Sequence, residues 1–74
     1  MADSELDAMR EVHAALLEER RNIARAVARL RNTRRLKGTL LPGDGAESGA
    51  RILEIQQQIA AVEAIVAALA GPGV

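Results

Sequence analysis

The chain contains a single histidine, His13, and histidine is the one side-chain type present that changes charge near neutral pH. By its chemistry His13 would act as a proton-sensitive switch or as a phospho-acceptor. Its position points instead to structure, because it falls between Met9 and Leu16 at a heptad a position inside an apolar seam. The neighbouring carboxylates Glu11, Glu18 and Glu19 are the next candidates, for a metal or for acid–base work. Glu11 and Glu18 fall at f positions, opposite the seam, and Glu19 flanks it, which is the pattern of a solvated helix face. One histidine and no cysteine cannot build a zinc site. The run GDGAESG lacks the Lys-Ser or Lys-Thr pair of a phosphate loop and the central serine of a nucleophile elbow. These residues lead to the expectation of no catalytic residue, no metal, no cofactor, and a protein that is not an enzyme.

The densest chemistry lies in ARLRNTRRLKG, Ala28 to Gly38, which holds five of the chain's ten basic side chains and no acid. Formal net charge is zero, but its layout is uneven. Residues 1–19 carry one arginine against six acids, residues 20–37 eight cations and no acid, and residues 38–74 one arginine against four acids. Arg21, Arg25 and Arg29 recur every fourth residue as an outward stripe, whereas Arg31, Arg34, Arg35 and Lys37 spread around the helix near its end. These seven are the candidates for binding nucleic acid or for pairing with charges of another copy. Copies paired antiparallel would set the basic half of one against the acidic half of the next, so that charge specifies the pairing. Copies standing parallel would gather their basic ends on one rim and demand an anionic partner, nucleic acid first. No helix-turn-helix or ribbon-helix-helix pattern is present, so base-specific readout is not expected. With no Phe, Trp or Tyr, the stacking platforms of single-strand binders are missing as well.

The run LLEERRNIARAVARLR, Leu16 to Arg31, is similar to the first helix of the small all-helical chorismate mutases in its paired leucines, its arginine and its spaced apolar residues. That resemblance implies Arg20 as an arginine for a substrate carboxylate. It covers about a fifth of the chain, and the family's later lysine, downstream arginine–glutamate pair and third helix with its glutamine have no counterparts. Histidine kinases also use a dimerising helical hairpin, but REVHAALLEE around His13 lacks their H-box. In architecture alone, a helical hairpin resembles the oligomerisation parts of phage-type DNA-packaging subunits and of small plasmid regulators.

A pair of helices must hold these residues in place. Ser4 with Asp7 reads as an N-cap with a capping box, and Gly38 stands where a C′ glycine closes a helix. Between them Leu6, Met9, His13, Leu16, Arg20, Ile23, Val27, Leu30 and Arg34 alternate spacings of three and four, a heptad seam with polar residues at some a positions. The segment GTLLPGDGAESG, residues 38–49, breaks the helix with four glycines and Pro42, and Asp44 with Glu47 offers a second capping box. Helix two ends at Gly71-Pro72 and has the cleaner seam, Ile52, Ile55, Ile59, Val62, Val66 and Leu69. It also carries Leu53, Ala60, Ala61, Ile65, Ala67 and Ala68 on other faces, and a helix apolar most of the way round is buried most of the way round. The expected fold is all-α, a single helical-hairpin domain over 1–74 with helix one at about 4–37, a loop at about 38–46 and helix two at about 47–70.

A core of Leu, Ile, Val, Met and Ala in 74 residues leaves such a hairpin marginal, and no disulfide assists it. Oligomerisation is the expected remedy: antiparallel hairpins assembling as a homo-oligomeric helical bundle or coiled coil, most simply a dimeric four-helix bundle. The expected oligomer core is Leu6, Met9, Leu16, Ile23, Val27 and Leu30 of helix one with Ile52, Ile55, Ile59, Val62, Ile65, Val66 and Leu69 of helix two. Function is expected to be that of a non-enzymatic, self-associating interaction, scaffolding or regulatory module. Its partner would be itself or another helical protein, and the alternative is an oligomeric nucleic-acid-associated protein. MADSELDAMREV begins acidic and lacks an uninterrupted apolar stretch, so it does not read as a secretory signal. The longest apolar-rich run, Ile59 to Ala70, contains Glu63 and is shorter than the roughly 18 to 20 residues of a membrane span. A cytoplasmic protein without membrane contact is the expectation. The first three residues and the GPGV segment are expected to fray, and adjacent Leu40 and Leu41 read either as a cap on the hairpin core or as a docking point.

Overall fold

The computed structural model describes residues 3–71, with side chains from residue 5 onward. Two α-helices, α1 (Asp3–Lys37) and α2 (Glu47–Ala70), pack against each other as an antiparallel hairpin. The 35 residues of α1 span roughly 50 Å at 1.5 Å per residue. They set the length of a rod that measures 56 × 17 × 16 Å, two helices wide. Its radius of gyration is 17.3 Å, against about 11 Å for a compact chain of this length. A heptad seam spreads apolar contact along a line instead of gathering it at a centre.

Burial follows that seam on both helices. On α1, Leu6, Met9, His13, Leu16, Arg20, Ile23, Val27, Leu30 and Arg34 are all half-buried, while every b, c and f neighbour from Asp7 to Leu36 is exposed. On α2, Ile55, Ile59 and Val62 are buried, at 0%, 2% and 8% exposure. Ser48, Ile52 and Val66 continue the same stripe half-buried. Alternation of three and four keeps each of these positions facing the partner helix.

α1 stops because Gly38 takes φ +71°, a left-handed conformation that glycine adopts without a steric penalty. Its N–H donates to the Arg35 carbonyl at 3.2 Å and the Thr39 N–H to the Arg34 carbonyl at 2.8 Å, the paired bonds of a Schellman closure. At the other end α1 already runs from Asp3, so Ser4 lies within the first turn instead of ahead of it. Met1 and Ala2, and Pro72, Gly73 and Val74 of the GPGV segment, lie outside the described residues.

The capping box expected at the start of α2 is not formed. Ala46 stands at the N-cap with no side-chain hydrogen bond. Asp44 turns its carboxylate away, towards the Leu41 N–H at 2.8 Å and the Arg34 guanidinium at 2.8 Å. There it gains one amide donor and a full opposite charge together, both charge-assisted contacts, where an N-cap would offer amide donors alone. α2 opens instead on tight turns, with Ala46 N–H to Gly43 O at 2.9 Å, Ser48 N–H to Gly45 O at 3.1 Å and Gly49 N–H to Ala46 O at 2.9 Å. The loop lies hard against α1 at Gly45, which is buried and has φ +84°. A Cβ there would stand 2.8 Å from Val27 Cγ1.

Candidate functional site

The polar interruptions of the α1 seam each meet a polar partner. His13 Nε2 lies 3.0 Å from Glu63 Oε2, Arg20 donates to the Gln56 side-chain oxygen, and Arg34 Nη1 lies 2.8 Å from Asp44 Oδ1. A slip of one helical turn would part all three pairs, so they mark the register in which the buried stripes of the two helices meet. His13 and Arg20 thereby acquire structural partners. A shallow hollow of about 190 Å³ opens beside His13, lined by Arg10, Glu63, Val66 and Ala67. Among the described residues, no group of three or more His, Asp or Glu side chains could hold a metal ion.

The seven basic candidates separate into two sets. Arg31 and Arg34 hold the hairpin's own loop: Arg31 Nη1 donates to the Asp44 carbonyl at 2.8 Å, and Arg34 pairs with the Asp44 carboxylate. The Leu41 N–H, followed by Arg34 and Arg31, holds the Asp44 carboxyl below the usual carboxylate range. Asp44 is the acid that a charge count along the chain misses, because only the loop's path carries it back over the end of α1. Arg21, Arg25, Arg29, Arg35 and Lys37 have no ion pair among the described residues. They occupy the outward stripe and the turn end of the rod, which measures 56 Å end to end.

The two flanks of the hairpin differ. Arg51 Nη2 lies 2.8 Å from Glu19 Oε1 across one flank, with Nη1 3.5 Å from Glu54, and Glu19 above all raises the Arg51 pKa. Val12 lies one heptad before Glu19 and Ile65 two heptads after Arg51, so both stand on this flank, with Leu69 one turn beyond Ile65. Val12 and Ile65 are each 43% exposed and Leu69 38%. The opposite flank carries the His13–Glu63 and Arg20–Gln56 bonds.

The expected oligomer core therefore divides. Ile55, Ile59 and Val62 are already covered within one chain, and Leu6, Met9, Leu16, Ile23, Val27, Leu30, Ile52 and Val66 are half covered by it. Ile65 and Leu69 remain exposed, joined by Val12, which the heptad count had placed off the seam. Leu40 is half-buried and Leu41 is 63% exposed, so the loop pair points two ways. By length and composition α2 is long and apolar enough to cross a membrane, and 17% of its most apolar stretch is buried. Counting only from Ile59 missed this, because Ile52, Leu53 and Ile55 extend the apolar content past three glutamines.

No protein-family model matches the chain, and comparison with curated proteins and with solved structures finds no match.

Proposed function

We propose that the protein is a non-enzymatic, self-associating helical hairpin that serves as an interaction or scaffolding module. The observation that carries this reading is surface left uncovered. A single chain exposes 5487 Å², whereas a compact monomer of 7.9 kDa exposes about 4,400 Å². The excess, roughly 1,000 Å², is close to the ~800 Å² that each partner buries in a standard interface. Val12, Ile65 and Leu69 are exposed together on one flank. A second copy removes these side chains from water without any new chemistry. The coverage of Ile55, Ile59 and Val62 by α1 supports a hairpin folded in water over a membrane-spanning α2. Sedimentation equilibrium at micromolar concentration tests the reading: a mass of two or more chains is expected, and an ordered monomer would overturn it.

A second reading, an oligomer associated with nucleic acid, is favoured by one observation, the absence of ion pairs for Arg21, Arg25, Arg29, Arg35 and Lys37 among the described residues. Arg31 and Arg34 leave this candidate surface because Asp44 occupies them. Fluorescence anisotropy with a labelled duplex across a salt series tests it. On this reading, binding weakens with a log–log slope of roughly −4 or steeper, the mark of about four or more phosphate contacts. No binding at low salt would dismiss it.

A further inference from the structure

Resting on the self-association reading, we infer that the partner at the Val12–Ile65–Leu69 flank is a second copy standing parallel to the first. In this arrangement α1 of each copy lies over α2 of the other, and both turns are at the same end of the bundle.

Two like faces can meet through a two-fold axis in two ways. An axis along the rod stacks α1 on α2 of the other copy and keeps the turns together. An axis across the rod stacks α1 on α1 and α2 on α2, with the turns at opposite ends. The His13–Glu63 and Arg20–Gln56 pairs fix which residues of the two helices are level. With the axis along the rod, Ala8, Val12 and Ala15 of one copy come level with Ala68, Ile65 and Ala61 of the other. Farther along, Arg29 comes level with Glu47. Apolar meets apolar at the open end and cation meets anion at Arg29–Glu47, and these eight residues are exposed in the single chain. Between them Glu19, Asn22 and Ala26 come level with Gln58, Glu54 and Arg51, where Arg51 keeps its Glu19 partner within the chain.

With the axis across the rod, Val12 is set against Arg29 and Ile65 against Glu47. The helix-long charge complementarity that favours this arrangement consists of exposed pairs, each of which contributes little. An arginine or glutamate laid on an apolar side chain loses hydration and gains no partner. Sliding the copies until only their apolar ends overlap would restore the apolar match at the expense of contact area. The full 56 × 17 Å face offers about 900 Å² per copy, near the standard size, and half of it falls well short. The flank with the His13–Glu63 and Arg20–Gln56 bonds exposes apolar side chains as well, Leu53 with Ala24, Ala60 and Ala67, so variants on both flanks enter the test.

The test is a distance between two nitroxide labels on Thr39→Cys, in the full chain at a concentration where the oligomer forms. Adjacent turns give a separation of roughly 15–30 Å, set by helix spacing and label length. Opposed turns give about 50 Å or more, set by the rise of α1. The short distance is expected, and the long one overturns the parallel arrangement while leaving self-association intact. Absence of any oligomer overturns the self-association reading itself. In parallel, Ile65→Glu is expected to raise the dissociation constant by about 100-fold, with Leu53→Glu, on another face of α2, near wild type. Equal effects of the two, or none, would rule out this flank.

Discussion

At the scale of the residue, the basic segment is less free than its composition implies. Two of its arginines converge on Asp44, one through the carbonyl and one through the carboxylate, and the Leu41 amide completes the grip. The carboxyl's pKa is lowered from 3.8 in the folded chain. The unfolded state therefore binds the proton more readily, and the clamp contributes stability above the unfolded pKa that is lost as pH falls through the folded one. Asp44→Asn should flatten that acid limb: Tm should fall between pH 6 and pH 3 by less in the variant than in the wild type, measured by circular dichroism. An identical pH dependence would show that the Asp44 clamp contributes nothing. The sequence displayed Asp44 as a cap for α2, since a Gly-Asp-Gly turn before a glutamate satisfies that pattern. A pair of arginines one turn apart on the other side of the loop could be recognised as its partners only once the chain had folded back.

At the scale of the element, the hairpin depends on how closely the loop can lie against α1. Gly45 meets two requirements there, a positive φ and contact with Val27 too close for a Cβ. Gly45→Ala should cost about 1–3 kcal/mol, from backbone strain together with overpacking, and lower Tm accordingly. Val27→Ala in the same chain should restore part of the loss by opening space, while the strain of φ remains. Full tolerance of Gly45→Ala would mean that the loop has another path. The helices themselves were legible from sequence: the heptads of both seams reappear as the buried stripes, and Gly38 closes α1 as its position suggests. Polar a positions were visible too, but not their partners. Glu63 and Gln56 sit beside the α2 seam, where nothing in a linear pattern marks them as answers to His13 and Arg20.

At the scale of the whole molecule, a rod two helices thick buries three side chains well and leaves much of α2 in water. Self-association links stability to concentration by mass action, so Tm should rise with protein concentration across the micromolar range. A Tm independent of concentration would argue for a monomer that is stable in spite of its exposed flank. The arrangement of copies also governs the basic stripe. In the parallel dimer Arg21 and Arg25 of both chains, which have no ion pair within one chain among the described residues, lie towards the same end, which brings the two functional readings together.

By itself the sequence determined the fold class, the seam residues and the break between helices, because periodicity, glycine conformation and proline are local properties that need no knowledge of distant residues. Tertiary structure alone decided which apolar side chains stay exposed on each flank and which arginines are already engaged. Both depend on the register in which α2 returns along α1, held by the buried stripe of Ile55, Ile59 and Val62 and by the turn clamped at Asp44, and marked by the His13–Glu63 pair, far apart in the chain and 3.0 Å apart in the fold.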